Sequence, residues 1–123
     1  MTFKRKLLST AALLALSAGA QAQISGNVVK IGVLNDQSSL YADLSGQGSV
    51  LAAKMAIEDF GAAKKGIKTE VIFADHQNKA DVAAAKAREW FDTQGLDMLI
   101  GGTNSATALA MSKVAAEKKK PFL

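Results

Sequence analysis

Four short runs rich in β-branched and aliphatic residues, each separated from the next by a stretch with helical spacing, constrain this chain more than any other feature. The first, residues 28–34 (VVKIGVL), is almost continuously apolar, as a strand buried on both faces must be. From about residue 43 or 45 to 60 the spacing changes. Val50, Ala53, Ile57 and Phe60 fall three or four apart and gather on one side of a helix that Gly61 stops. A second strand is expected over residues 68–75 and a second helix over 79–94, with Ala83, Ala87, Trp90 and Phe91 turned inward and Gly95 as terminator. Residues 97–101 read as a third strand. A third helix over 106–118 turns Ala108, Met111 and Ala115 inward, and Pro121, Phe122 and Leu123 open a fourth strand. Strands joined through helices run parallel, with helices covering the sheet. The expected fold is therefore α/β, a doubly wound parallel sheet of order 2-1-3-4. The winding direction reverses between strands one and three, which opens a crevice at their carboxyl ends.

The segment ahead of this alternation has a different character. Lys4, Arg5 and Lys6 precede an apolar stretch over residues 7–18, and Ala20-Gln21-Ala22 follows, the order of a secretory signal cleaved after Ala22. About 12 apolar residues rise only about 18 Å as helix, too short for roughly 30 Å of hydrocarbon. Residues 1–22 are thus expected to be removed, leaving an exported protein in a bacterial periplasm. The chain has no cysteine, so the thiol of a lipid-anchored envelope protein is missing, and with it any disulfide framework or thiolate site. A single histidine excludes a multi-histidine metal centre, and no cofactor is called for. The formal charge of +4 also falls with the leader, because removing its three basic residues leaves twelve basic against eleven acidic groups. That balance gives no reason to expect a nucleic-acid partner. With 49% hydrophobic and 21% charged residues in 123, the composition is that of a folded protein with one compact domain as its ceiling.

Two loops are expected at the crevice, residues 35–43 and 102–107, both rich in hydroxyl and amide groups. The second passes from a strand straight into a helix. Free N–H groups near Ser105, Ala106 and Thr107 would then face outward at the positive end of the helix dipole, with the Ser105 and Thr107 hydroxyls as further neutral donors for a carboxylate. The alternative is that Thr103, Asn104 or Ser105 simply caps the helix. Tyr41, the only tyrosine, lies in the first loop, where its ring either covers an apolar ligand or packs on its own loop. Nucleotide binding is disfavoured. The second loop lacks the lysine of a phosphate-binding loop, and Gly46-x-Gly48 lacks the third glycine of the dinucleotide fingerprint. Asp36, Asp43, Asp75 and His76 lie near strand ends, yet no nucleophile accompanies them, and His76 reads as a solvated turn residue.

The residues from 28 to 123 resemble a known family. The words Lys30-Ile31-Gly32-Val33-Leu34, Ser38-Ser39-x-Tyr41-x-Asp43, Gly46-x-Gly48 and residues 52–60 (AAKMAIEDF) stand in order. Phe73-Ala74-Asp75-His76-Gln77-Asn78 and Leu99-Ile100-Gly101 with its polar loop follow them. Together they resemble the start of periplasmic solute-binding proteins of the leucine/isoleucine/valine-binding type. The resemblance implies a two-lobed receptor that closes on a small molecule and delivers it to an inner-membrane ABC permease. Residues 23–123 would form the amino-terminal part of its first lobe, the chain continuing past the fourth strand. Carried over by position, Tyr41 covers the ligand, and Asn104 and Ser105, with Thr107 as neighbour, hold its carboxylate. Where the family's first loop commonly has Ser-Gly, this chain has Asp36 to Ser39, so amino acids, amides and aromatic or aliphatic carboxylates all stay open as ligands. The expected function is capture of an amino acid or related small carboxylate without turnover. A periplasmic sensor module of the same fold and an exported α/β enzyme using Asp75 and His76 are the rival readings.

Overall fold

The computed structural model describes residues 26–123, so the expected leader over residues 1–22 lies outside them. Strand β1 (Val28–Asn35) is central. It pairs in parallel with β2 (Lys68–Asp75) from Val28 opposite Lys68 to Asn35 opposite Asp75, and with the short β3 (Met98–Ile100) from Ile31 opposite Met98 to Val33 opposite Ile100. The sheet order is β2-β1-β3, the expected winding reversal. In place of a full fourth strand, Phe122 forms a single parallel bridge to Leu99 on the open edge of β3, where strand four was expected.

Helices cover both faces. α1 (Gly46–Phe60) lies on one, while α2 (Ala80–Thr93) and α3 (Ser105–Glu117) pack together on the other. The alternation of the pleat decides which residues meet which layer. Leu34 and Leu99 join Ala83, Ala87, Trp90, Met111 and Val114 in the buried core on the α2–α3 side. Burying each large apolar side chain there contributes about 1.5–3 kcal/mol. Gly32 is required by this packing, because a Cβ at that position would stand 2.8 Å from the Trp90 ring and 2.9 Å from Leu96.

The helices start and stop within a residue or two of their expected limits, and at the front of α1 the later of the two expected starts is the nearer: residues 40–45 form turns and the helix begins at Gly46. Gly61 ends α1 in the left-handed conformation at φ 70°, as expected of a glycine after the last apolar position. One packing expectation fails. Phe60, expected on the buried side of α1, is 59% exposed, with Lys65 Nζ 4.9 Å from its ring centroid. The reason is that one helix does not cover its face of the sheet. A groove of about 410 Å3 stays open between Ile57 and Phe60 on one side and Ile31, Met98 and Ile100 on the other.

Candidate functional site

The site is set where β1 and β3 part. Gly101 follows β3 so closely against β1 that a Cβ there would lie 2.0 Å from the Leu34 carbonyl oxygen. Only glycine fits. From this point one loop runs from β1 to α1 and the other from β3 to α3, both at the carboxyl ends of adjacent parallel strands, where ligands bind in folds of this kind.

The β1–α1 loop is organised by carboxylates. Asp36, fully buried, accepts the backbone N–H groups of Ser38 (3.3 Å), Ser39 (2.8 Å) and Tyr41 (2.9 Å) and the Ser39 hydroxyl (2.6 Å). Burial by itself raises a carboxyl pKa, but the Ser39 hydroxyl and these amides outweigh it and lower Asp36 from 3.8 to about 2. Asp75 at the end of β2 reaches across to the same loop, accepting the Gln37 N–H at 3.0 Å and the Ser38 hydroxyl at 2.5 Å. Its burial is likewise outweighed, by the Gln37 amide, the Ser38 hydroxyl and the Gln77 amide, so its carboxyl is also held below the usual range. Asn35 donates to the Gly46 carbonyl at 2.8 Å, joining the end of β1 to the start of α1. Tyr41 is thereby fixed through its backbone. Its N–H binds Asp36, its carbonyl accepts from Leu44 and Ser45, and its residue is half-buried.

The β3–α3 loop brings Asn104, Ser105 and Thr107 together. Asn104 is the helix cap: its Oδ1 accepts the N–H of Ala106 at 2.7 Å and of Thr107 at 3.4 Å. Those two amides, expected to be open to an anion, are thus already satisfied. Thr107, expected as a further donor, is fully buried, and its hydroxyl donates to the Asn104 carbonyl at 2.9 Å. Ser105 differs from both neighbours. It is exposed at the first position of α3, and its hydroxyl has no partner among the described residues. The side-chain nitrogen of Asn104 remains beside it as a donor once Oδ1 is committed to the cap.

His76 is not a solvated turn residue: it is fully buried, as part of the junction between β1, β2 and the turn into α2. Asp75 is likewise taken up by loop amides, so the acid/base pair available to the rival enzyme reading is structural in this arrangement. The Asp36 junction is the feature that spacing missed. An aspartate two and three residues ahead of serines is a local signal for a side-chain-to-backbone turn, and it stood in the sequence. The Asp75 link, between positions 38 apart, has no such local signal. No group of three metal-ligating side chains occurs among the described residues, nor does any helix long and apolar enough to cross a membrane.

The sequence profile of the periplasmic binding protein family matches residues 28–123. This chain belongs to that family. A periplasmic binding protein from Burkholderia mallei is 62% identical over 78% of this chain, with a TM-score of 0.73. A branched-chain amino acid ABC transporter periplasmic ligand-binding protein from Burkholderia xenovorans LB400 is 48% identical over 76% of it, with a TM-score of 0.72. A solute-binding protein of an ABC transporter from Rhodopseudomonas palustris BisB5, solved with 3,4-dihydroxybenzoic acid, is 25% identical over 78%, with a TM-score of 0.70. The chain spans 26%, 25% and 26% of these three proteins respectively, about a quarter of each. None of the curated proteins matches it. The family is one of substrate-binding proteins, and the parallel α/β sheet described above matches the lobe of such a protein, the fold class expected from the sequence.

Proposed function

We propose that this binding protein captures an amino acid or related small carboxylate in the periplasm and presents it to an inner-membrane ABC permease, without chemical turnover. Residues 1–22 act as a cleaved signal and residues 23–123 form the amino-terminal part of the first ligand-binding lobe. The observation that carries the reading is the exposed Ser105 hydroxyl, unpartnered among the described residues, at the positive end of α3, on the loop that leaves β3 at the same end of the sheet as the Tyr41 loop. The ligand's carboxylate docks on the Ser105 hydroxyl and the Asn104 side-chain nitrogen. Thr107 braces that loop from beneath, and the Tyr41 ring covers the ligand's apolar body. Neutral donors at a helix start hold an anion without a lysine or arginine, which leaves the site tolerant of what lies beyond the acid group. The range of the relatives supports this breadth: one carries branched-chain amino acid in its name and another was solved with an aromatic acid, and both kinds of molecule carry a carboxylate. Groups from a second lobe would complete the site and select among such acids on closure.

The test is isothermal titration calorimetry on the complete mature protein against a panel of branched-chain, polar and aromatic amino acids and hydroxybenzoates. Saturable binding of one carboxylate class, with the ligand recovered unchanged, supports the reading. Binding only of uncharged compounds, or conversion of the ligand, overturns it.

A further inference from the structure

The turn from β2 into α2 has an unusual support. Gln77 and Asn78 both adopt left-handed backbone conformations, at φ 53° and 58°, which a non-glycine residue takes only at a cost. Three hydrogen bonds hold them. Asp75 accepts the Gln77 N–H at 2.7 Å, the His76 carbonyl accepts the Lys79 N–H at 2.9 Å, and the His76 Nδ1 accepts the Asn78 N–H at 3.0 Å. An imidazole nitrogen that accepts from an amide carries no proton. The ring is therefore neutral with its proton on Nε2, and Nε2 is buried with no partner among the described residues. The same residue ties β2 to β1, because the His76 N–H donates to the Asn35 carbonyl at 3.0 Å.

We propose that His76 is a positioning residue that works only as a neutral imidazole, so that proton uptake opens the β2–α2 turn and, through Asp75, loosens the β1–α1 loop. Protonation at Nδ1 would set an N–H against the Asn78 N–H and remove the acceptor that holds Asn78 in its left-handed conformation. Asp75 is the link onward, since the carboxylate that binds Gln77 in this turn also binds Gln37 and Ser38 in the other loop. The charged groups acting on the ring are the carboxylates of Asp36, from the β1–α1 loop, and Asp75, from β2. On the α2 side Lys79 and Asp81 are exposed, and Lys79 Nζ binds the Gln77 side-chain oxygen at 3.1 Å. Burial outweighs the pull of the two carboxylates and holds the imidazole below its ordinary pKa, so the neutral form persists at neutral pH. That the loosened loop then releases ligand rests on the function proposed above; the clasp itself does not.

Imidazole nitrogen NMR on the complete mature protein, without ligand, tests the clasp directly. At about pH 7.5 the His76 proton is expected on Nε2, with Nδ1 bare. Between about pH 7.5 and 5.5 the exchange protection of the Asn78 amide is expected to fall about tenfold, with a smaller fall at Gln37. His76→Asn places a non-titrating amide group near the Nδ1 position and should abolish that pH dependence. Nδ1 found protonated at neutral pH, protection unchanged across the range, or the same fall in H76N would each overturn the proposal. None of these outcomes depends on which ligand binds.

Discussion

Asp75, the last residue of β2, accepts the backbone N–H of Gln37 at 3.0 Å, pinning the loop after β1 to the end of the neighbouring strand. Asp36 folds that loop from within while Asp75 fixes it from outside. Two carboxylates thus hold in place a segment that has no regular secondary structure until Gly46.

Removing the outer support should therefore cost more than one hydrogen bond. Asp75→Ala leaves the N–H groups of Gln37 and Gln77 without their acceptor, and a destabilisation of about 1–3 kcal/mol is expected in urea unfolding of the complete protein. Calorimetry on the same variant should show weaker ligand binding, because the Tyr41 loop is no longer fixed.

Acid should unfold the protein in two stages. A histidine whose folded pKa is lowered leaves the folded state short of a proton that the unfolded chain binds, so stability falls as pH drops below about 6.5 and levels off beneath the folded value. Asp36 acts lower. Its folded pKa of about 2 lies below 3.8, so the stability it lends is full above that value and is lost as pH falls towards 2. Thermal melts across this range should show both steps, with His76→Asn removing the first and Asp36→Asn reducing the second, to which Asp75, also held below its usual range, contributes the remainder.

Neighbouring residues of the second loop should separate cleanly by what they affect. Asn104→Ala removes a cap that satisfies two amides and should lower stability by about 0.5–2 kcal/mol. Ser105→Ala should leave the melting temperature nearly unchanged, since the hydroxyl is exposed, yet weaken binding of the carboxylate ligand by about 1–3 kcal/mol in calorimetry.

Gly101→Ala tests the junction of the two loops. A methyl group 2.0 Å from the Leu34 carbonyl cannot be accommodated without moving backbone. A loss of stability of at least about 1–3 kcal/mol is expected in denaturant unfolding. Gly48→Ala, where an added Cβ meets nothing within 4 Å, should be harmless by comparison.

The sheet and its helices were legible because their signals are local. Residues 28–34 and 71–73 are too β-branched and apolar to be surface loops, and the spacing of Ala83, Ala87 and Trp90 admits only a helix facing a core. Parallel pairing then left little choice of order. Phe60 shows where periodicity stops. It lies on the apolar side of α1, but whether that side is covered depends on what packs there, and α1 alone does not close the groove. The site was half legible. Asn104, Ser105 and Thr107 follow from a strand leading into a helix, whereas which of them caps and which faces solvent is decided by backbone geometry at one residue. His76 was misread because the polarity of His76-Gln77-Asn78 suggests solvent, while a hydrogen bond from Asn78 and the turn into α2 hold the ring inside.

The most direct test is a structure of the complete mature protein with a bound carboxylate ligand. The carboxylate is expected within about 3 Å of the Ser105 hydroxyl and the Asn104 side-chain nitrogen, with the Tyr41 ring over the ligand's apolar part. A ligand whose acid group binds elsewhere, with Ser105 still facing bulk water, would contradict the account.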